Sequence, residues 1–233
     1  MSSTIEAALD EYLADQTNTS SEVERGQAAK RTVIKAGSDA VPIIEARLLS
    51  GSFEHKRRCF GLLIEMANQI SNSIARSLPD KPPLLIIWET AVLIQVGEGF
   101  DRAPLFDLLK HPDPYLRHLS ALAIAFQGLG QPAEAPRLIP VLIDALRSEA
   151  KIEGSQFPVA GGSLACLSKL ASSSFLPDGR AIEIYNSTWA FPPPVLPFPL
   201  TAIALSGAER EQTILEVDQW WRANQATFRL PRP

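Results

Sequence analysis

Cysteine is scarce in this chain, and long apolar runs and excess positive charge are missing. Cys59 and Cys166 are the whole thiol supply of 233 residues. Each lies in an apolar helical stretch, where an unpaired thiol packs as a small core residue, so neither a disulfide scaffold nor a redox pair is supported. Lys and Arg total 22 against 26 acids, a net charge of -4. The long-range field therefore disfavours a phosphate backbone, and nucleic-acid binding would need a local basic stripe. No segment reaches about 18 uninterrupted apolar residues. The opening "MSSTIEAALDEYLADQ" is acidic and lacks the basic and apolar parts of a secretion signal, so a cytoplasmic protein with no membrane partner is expected. Asn18-Thr19-Ser20 and Asn186-Ser187-Thr188 match the glycosylation pattern but carry no weight without such a signal. Phosphate-binding glycine loops and alternating strand patterns are absent as well.

What the chain does have is 45% hydrophobic and 21% charged residues, enough to bury a continuous core. Apolar residues recur every three to four positions in "AAKRTVIKAG", "RCFGLLIEMANQI", "PPLLIIWETAVLIQV", "LRHLSALAIAFQGL", "APRLIPVLIDALRS", "GGSLACLSKLA" and "TILEVDQWWRANQ". This period predicts an all-helical chain of roughly nine to eleven short helices. The helices also repeat. Arg25, Arg58 and Arg117 follow Ser21, Glu54 and Asp113 by four positions, and each precedes a small residue, Ala28, Gly61 or Ser120, by three. An acid one turn away can hold the Arg, and a small residue lets a neighbouring helix approach. A second unit recurs as "VPIIEARLL", "APLFDLLKH" and "IPVLIDALRS", with Pro at or near a helix start. These segments are expected to be the second helices of helical pairs, with "PPLLIIWETAVLIQV" the first helix of an extra pair and "ISNSIARSLPD" a poor second helix.

On these residues the chain resembles the HEAT and HEAT-like (armadillo-type) repeat family, most clearly in "LLKHPDPYLRHLSALAIAFQGLG", "AVPIIEARL" and "LIPVLIDAL". The resemblance covers about residues 21–150 and weakens beyond. It implies an all-α fold: a right-handed α-solenoid of about four to five helical pairs, in one domain spanning 1–233, with a degenerate repeat and irregular cap over 151–233. "FPPPVLPFP" places five prolines within eight residues and must be extended. It is expected as a strap over the end of the solenoid, which needs an atypical cap.

Several short motifs have simpler readings than their reactive ones. His111-Pro112-Asp113 matches the J-domain triplet, but Pro114 and the repeat Arg117 follow it, so it reads as a turn with Asp113 capping the next helix. Ser163 in "GGSLA" lacks the second glycine and the preceding strand of a nucleophile elbow, and all three histidines precede it, so a helix start is the simpler account. His55 and Cys59 share a helix face without a second pair of metal ligands. "HKRR" at 55–58 reads as a solvated helix start balanced by Glu54 and Glu65. Pro194-Val195-Leu196-Pro197 is a weak match to an SH3 or WW ligand.

The resemblance leaves function open. The favoured reading is a non-catalytic protein-interaction module, an adaptor, regulator or immunity-type protein, with no cofactor or metal and with another protein as partner. The alternative is a HEAT-like DNA-binding or DNA-glycosylase-type enzyme, for which adjacent Trp88 and Glu89 are the relevant residues; HEAT-like bilin lyases leave no chromophore signature here. A continuous Lys/Arg lining would favour nucleic acid, a mixed-sign one protein. In the HEAT family the second helices usually line the concave face. Glu45, Arg47, Asp107, Lys110, Asp144 and Arg147 are accordingly expected to form an outward mixed-sign ladder, with Ile44, Leu48, Leu108, Leu142 and Leu146 beneath it. Trp220 and Trp221 project about 100° apart on a helix. One should pack with Ile214 and Val217, and the other should lie under the Pro-rich strap or stand exposed as a partner anchor.

Overall fold

The computed structural model describes residues 2–14, 20–97, 100–129, 134–176, 182, 197–228 and 230. Among them every regular element is helical, apart from an isolated bridge between Lys151 and Pro158. The chain divides into two compact units, Met1–Asp101 and Arg102–Pro233.

In the first unit, α1 (Ser2–Leu13) buries Ile5, Leu9 and Leu13 against α2 (Ser20–Ala36), whose inward face is Gly26, Ala29 and Val33. Ala28 is exposed, so the small residue that admits the neighbour sits one position away from the expected one. α3 (Val41–Ser50) starts with Pro42 in its first turn. Ser52 then caps α4 (Phe53–Ser77), accepting a hydrogen bond from the His55 backbone N–H at 3.2 Å. α4 runs for 25 residues and absorbs "ISNSIARS", the expected poor second helix. No Gly or Pro interrupts the segment, and Ile70 and Ile74 extend the stripe begun by Leu63, Met66 and Ala67, so nothing stops the helix before Pro79. α5 (Pro83–Val96) buries every residue from Leu85 to Leu93. A helix that is apolar all round belongs in a core. It packs against α3 and α4, with Trp88 edge-on to Phe60 at 5.0 Å. Gly97 ends it at φ 71°, a left-handed geometry that costs glycine little.

In the second unit, the expected helix over 103–111 is only α6 (Ala103–Asp107) with a 3₁₀ turn over 108–110. α7 (Pro114–Phe126) starts as predicted, with Pro114 in its first turn and the Asp113 carboxylate accepting from Tyr115 N–H at 2.9 Å. α8 (Ala135–Ala145) begins earlier than the expected start near Pro140, because Pro136 is its N-terminal proline and Pro140 lies inside the helix. α9 (Val159–Ala171) packs against α7 and α8. Segment 197–206 then leads to α10 (Gly207–Asn224), opened by a full capping box between Ser206 and Glu209. Its Phe198, Leu200 and Leu205 are buried. The segment crosses the start of α9 so closely that a Cβ on Gly161 would lie 2.5 Å from the Ile203 carbonyl oxygen. Residues 191–196, most of the expected strap and of the SH3/WW-like stretch, lie outside the described residues, as do Asn186-Ser187-Thr188 and Asn18-Thr19.

The repeat arginines serve helix ends rather than a uniform ion pair. Arg58 meets Glu54 at 3.0 Å as its spacing predicts, and its Nη1 also donates to the carbonyls of Tyr12, Leu13 and Ala14, the unsatisfied end of α1. Arg117 does not pair with Asp113. It donates to the carbonyls of His111 and Pro112 at 2.8 and 3.0 Å, because Asp113 is engaged as the cap of α7.

Candidate interaction groove

The clearest concave feature of the second unit lies between α8 and α10, an open groove of about 820 Å³. Pro140, Ile143, Asp144 and Arg147 form one wall; Glu211, Leu215, Asp218 and Arg222 stand on the other. Ile214 and Trp221 are buried at its base, whereas Leu215 is 51% exposed and is an apolar rim. The residues at 211, 214, 215, 218, 221, 222 and 225 share one helical face, so the wall extends for roughly 21 Å at about 1.5 Å per residue. The acids of the groove are partly engaged. Asp144 Oδ2 lies 2.9 Å from Nε2 of the buried His118, and Asp218 is 2.7 Å from Arg222 one turn on. Arg210 Nη1 stands 3.7 Å from Glu149, which sets the start of α10 beside the end of α8.

Trp221 packs on the inward side as one of the two was expected to, whereas Trp220 joins an aromatic cluster that includes Trp221 at 6.3 Å, and most of the expected strap over it falls on residues outside those described. Trp221 is buried near Val217 and Ile214, while Trp220 turns to Phe175 at 5.7 Å and Phe228 at 5.3 Å, both edge-on. Phe228 also meets Trp221 at 5.9 Å, so an aromatic cluster holds the end of α10.

The charged ladder is reshaped by the structure. Asp144 and Arg147 come together with Trp221 in the groove, and Asp107 and Lys110 are exposed in the same unit but do not line it. In the first unit Arg47 is half-buried and reaches Asp10 of α1 at 2.7 Å. Glu45 is not outward at all: it is buried and paired with Lys81 at 2.5 Å. The five apolar residues expected beneath the ladder are all buried. Beside Glu45 stands Glu89, 0% exposed on α5. Burial first, and then the neighbouring Glu45, push its carboxyl up to about 9 against the opposing pull of Lys81. Glu89 therefore carries a proton at neutral pH. Trp88, its neighbour in sequence, is fully buried as well.

Other candidates resolve as structure. Ser163 is buried and donates from Oγ to the Leu142 carbonyl at 2.5 Å, tying α9 to α8. Cys59 is enclosed, and burial pushes its thiol up to about 12. Among the described residues no group of three or more His, Cys, Asp or Glu side chains is arranged to hold a metal ion, and no helix is long and apolar enough to cross a membrane. In the basic run Lys56 is buried, while Arg57 binds Glu54 through both Nε and Nη2 at 2.8 and 2.7 Å.

No protein-family model, no curated protein and no solved structure matches this chain.

Proposed function

We propose that the protein is a non-catalytic interaction module of the HEAT-like type, its helical pairs stacked as a right-handed α-solenoid with an atypical C-terminal cap. In this reading it acts in the cytoplasm as an adaptor, regulator or immunity-type protein by presenting a helical surface to another protein. The observation that carries the reading is the lining of the α8/α10 groove: three acids, two arginines and an apolar base with an exposed Leu215 rim. Mixed sign around an apolar centre suits a protein surface, whereas duplex DNA demands several uncommitted cations along the contact. Arg57 and Arg58 of the basic run are already held by Glu54. Affinity capture with the full chain from its native host, read by mass spectrometry, should recover a specific protein partner. In parallel, the same chain should show no salt-dependent complex with duplex DNA carrying damaged bases and should release no base from it. A submicromolar duplex complex or base release would replace this reading with the glycosylase-type one.

A further inference from the structure

The groove also restricts what kind of partner segment can occupy it, an inference that rests on the interaction-module reading above. Both walls are α-helices, and neither presents a sheet edge for an extended peptide to join. Proline-rich ligands need open aromatic faces, and Trp221 is only 7% exposed. What remains accessible is an apolar strip, Leu215 with Pro140 and the edge of Ile143, running between charged walls.

The charges set the polarity of an occupant. Asp144 projects from one wall, with its side chain 50% exposed although one oxygen holds His118, and Asp218 projects from the other. With Glu211 the acids number three against Arg147 and Arg222. Arg222 engages Asp218, and His118 engages Asp144, through Oδ2, so on each wall the second carboxylate oxygen, Oδ1, is the one turned to an occupant. A cation entering there would find an acid on each wall, and the acids outnumber the two arginines by one.

We propose that the groove binds an amphipathic α-helix of a partner protein, one that carries Lys or Arg at the centre of its contact face and apolar residues one turn before and after it. A helix brings its backbone already bonded. Its i, i+3, i+4 and i+7 side chains lie along one stripe, and about fifteen residues of such a helix match the roughly 21 Å wall of α10. The central cation meets Asp144 and Asp218, and the flanking apolar groups cover Leu215 and the strip beside it.

The test is selection of a displayed library of 16-residue peptides against the full chain. Selected sequences should be enriched in a central Lys or Arg flanked by Leu, Ile, Met or Phe at three- and four-residue spacing. The best synthetic peptide should become helical on binding by circular dichroism. Leu215→Asp, at the surface, should weaken it at least tenfold with unchanged melting temperature. Asp218→Lys, half-buried and paired with Arg222, should weaken it as much while the chain stays folded by circular dichroism, and a Glu-centred version of the peptide should regain affinity for the Asp218→Lys variant. Proline-rich or acid-centred winners, no enrichment, or indifference to both variants would overturn the helix proposal. So would a dimer of the chain that Leu215→Asp dissolves, since a second copy would then be the occupant. Any of these results leaves the interaction-module reading to its own capture and duplex experiments, so the two can fail separately.

Discussion

In the first unit Glu45 and Lys81 form a pair closed in on both sides by helices, with the uncharged Glu89 behind them, whereas in the second unit His118 is inside and its partner Asp144 stands half in solvent. Glu45 and Asp144 occupy matching places in the recurring "IIEARLL" and "LIDALRS" segments. One such acid has become part of a core and the other part of a groove. The difference comes from what each helix meets. α3 packs against α5, which is apolar all round and carries Glu89. α8 meets α10, which covers it only in part and leaves the groove open. A repeated sequence position therefore specifies a helix register, and the neighbour decides whether its charge is enclosed or left facing solvent.

The comparison breaks most readily at Trp88. Trp88→Ala removes the largest fully buried side chain of the first unit and its contact with Phe60. Denaturant unfolding should show a loss of about 3–5 kcal/mol. Water entering the space should also bring the Glu89 carboxyl back towards its ordinary range. A loss below about 1 kcal/mol would mean that the enclosure around the acid is not what the packing indicates.

Glu89→Gln sharpens the contrast through pH. The folded carboxyl titrates near 9 and the unfolded one near 4.5. Between those values the native state keeps a proton that the unfolded chain releases, so the stability of the natural protein falls as pH rises across that window. The amide variant has no such proton. It should therefore match the natural protein near pH 4 and exceed it by roughly 3 kcal/mol at pH 7, with the gap widening to pH 9. Melting curves with a constant difference over this range would remove Glu89 as the cause. Asp144→Asn is the smallest expected change: the amide can still bond His118, and a half-exposed charge contributes no more than about 1 kcal/mol. Its melting temperature should scarcely move across the same pH series.

Much of the helical architecture was legible in the sequence. The three-to-four period located the helices, Asp113-Pro114 announced the start of α7, and the inward packing of one member of the Trp220-Trp221 pair was anticipated. The length of α4 was misread, since "ISNSIARSLPD" was expected as a separate poor second helix although Ile70 and Ile74 continue the stripe of α4 up to Ser77. The burial of Glu45 was not legible. Nothing within "PIIEARLL" distinguishes it from an outward acid; Lys81 and Glu89 decide the matter from 36 and more residues away. The groove was half visible. Asp144, Arg147 and Trp221 were candidates, but Glu211, Leu215 and Asp218 were missed, although their spacing on one face of α10 with an exposed Leu was a signal. Their juxtaposition with α8 spans more than sixty residues and a proline-rich stretch that no helical period bridges.

Each unit also encloses one thiol, Cys59 on α4 and Cys166 on α9, and burial pushes both up to about 12. Only the deprotonated sulfur attacks an alkylating reagent. Modification of either residue therefore waits for its surroundings to open, and the two positions fall in different mass-spectrometric peptides. The natural chain thus holds two clocks for local unfolding, one per unit, whose labelling rates report separately how often each interior is exposed.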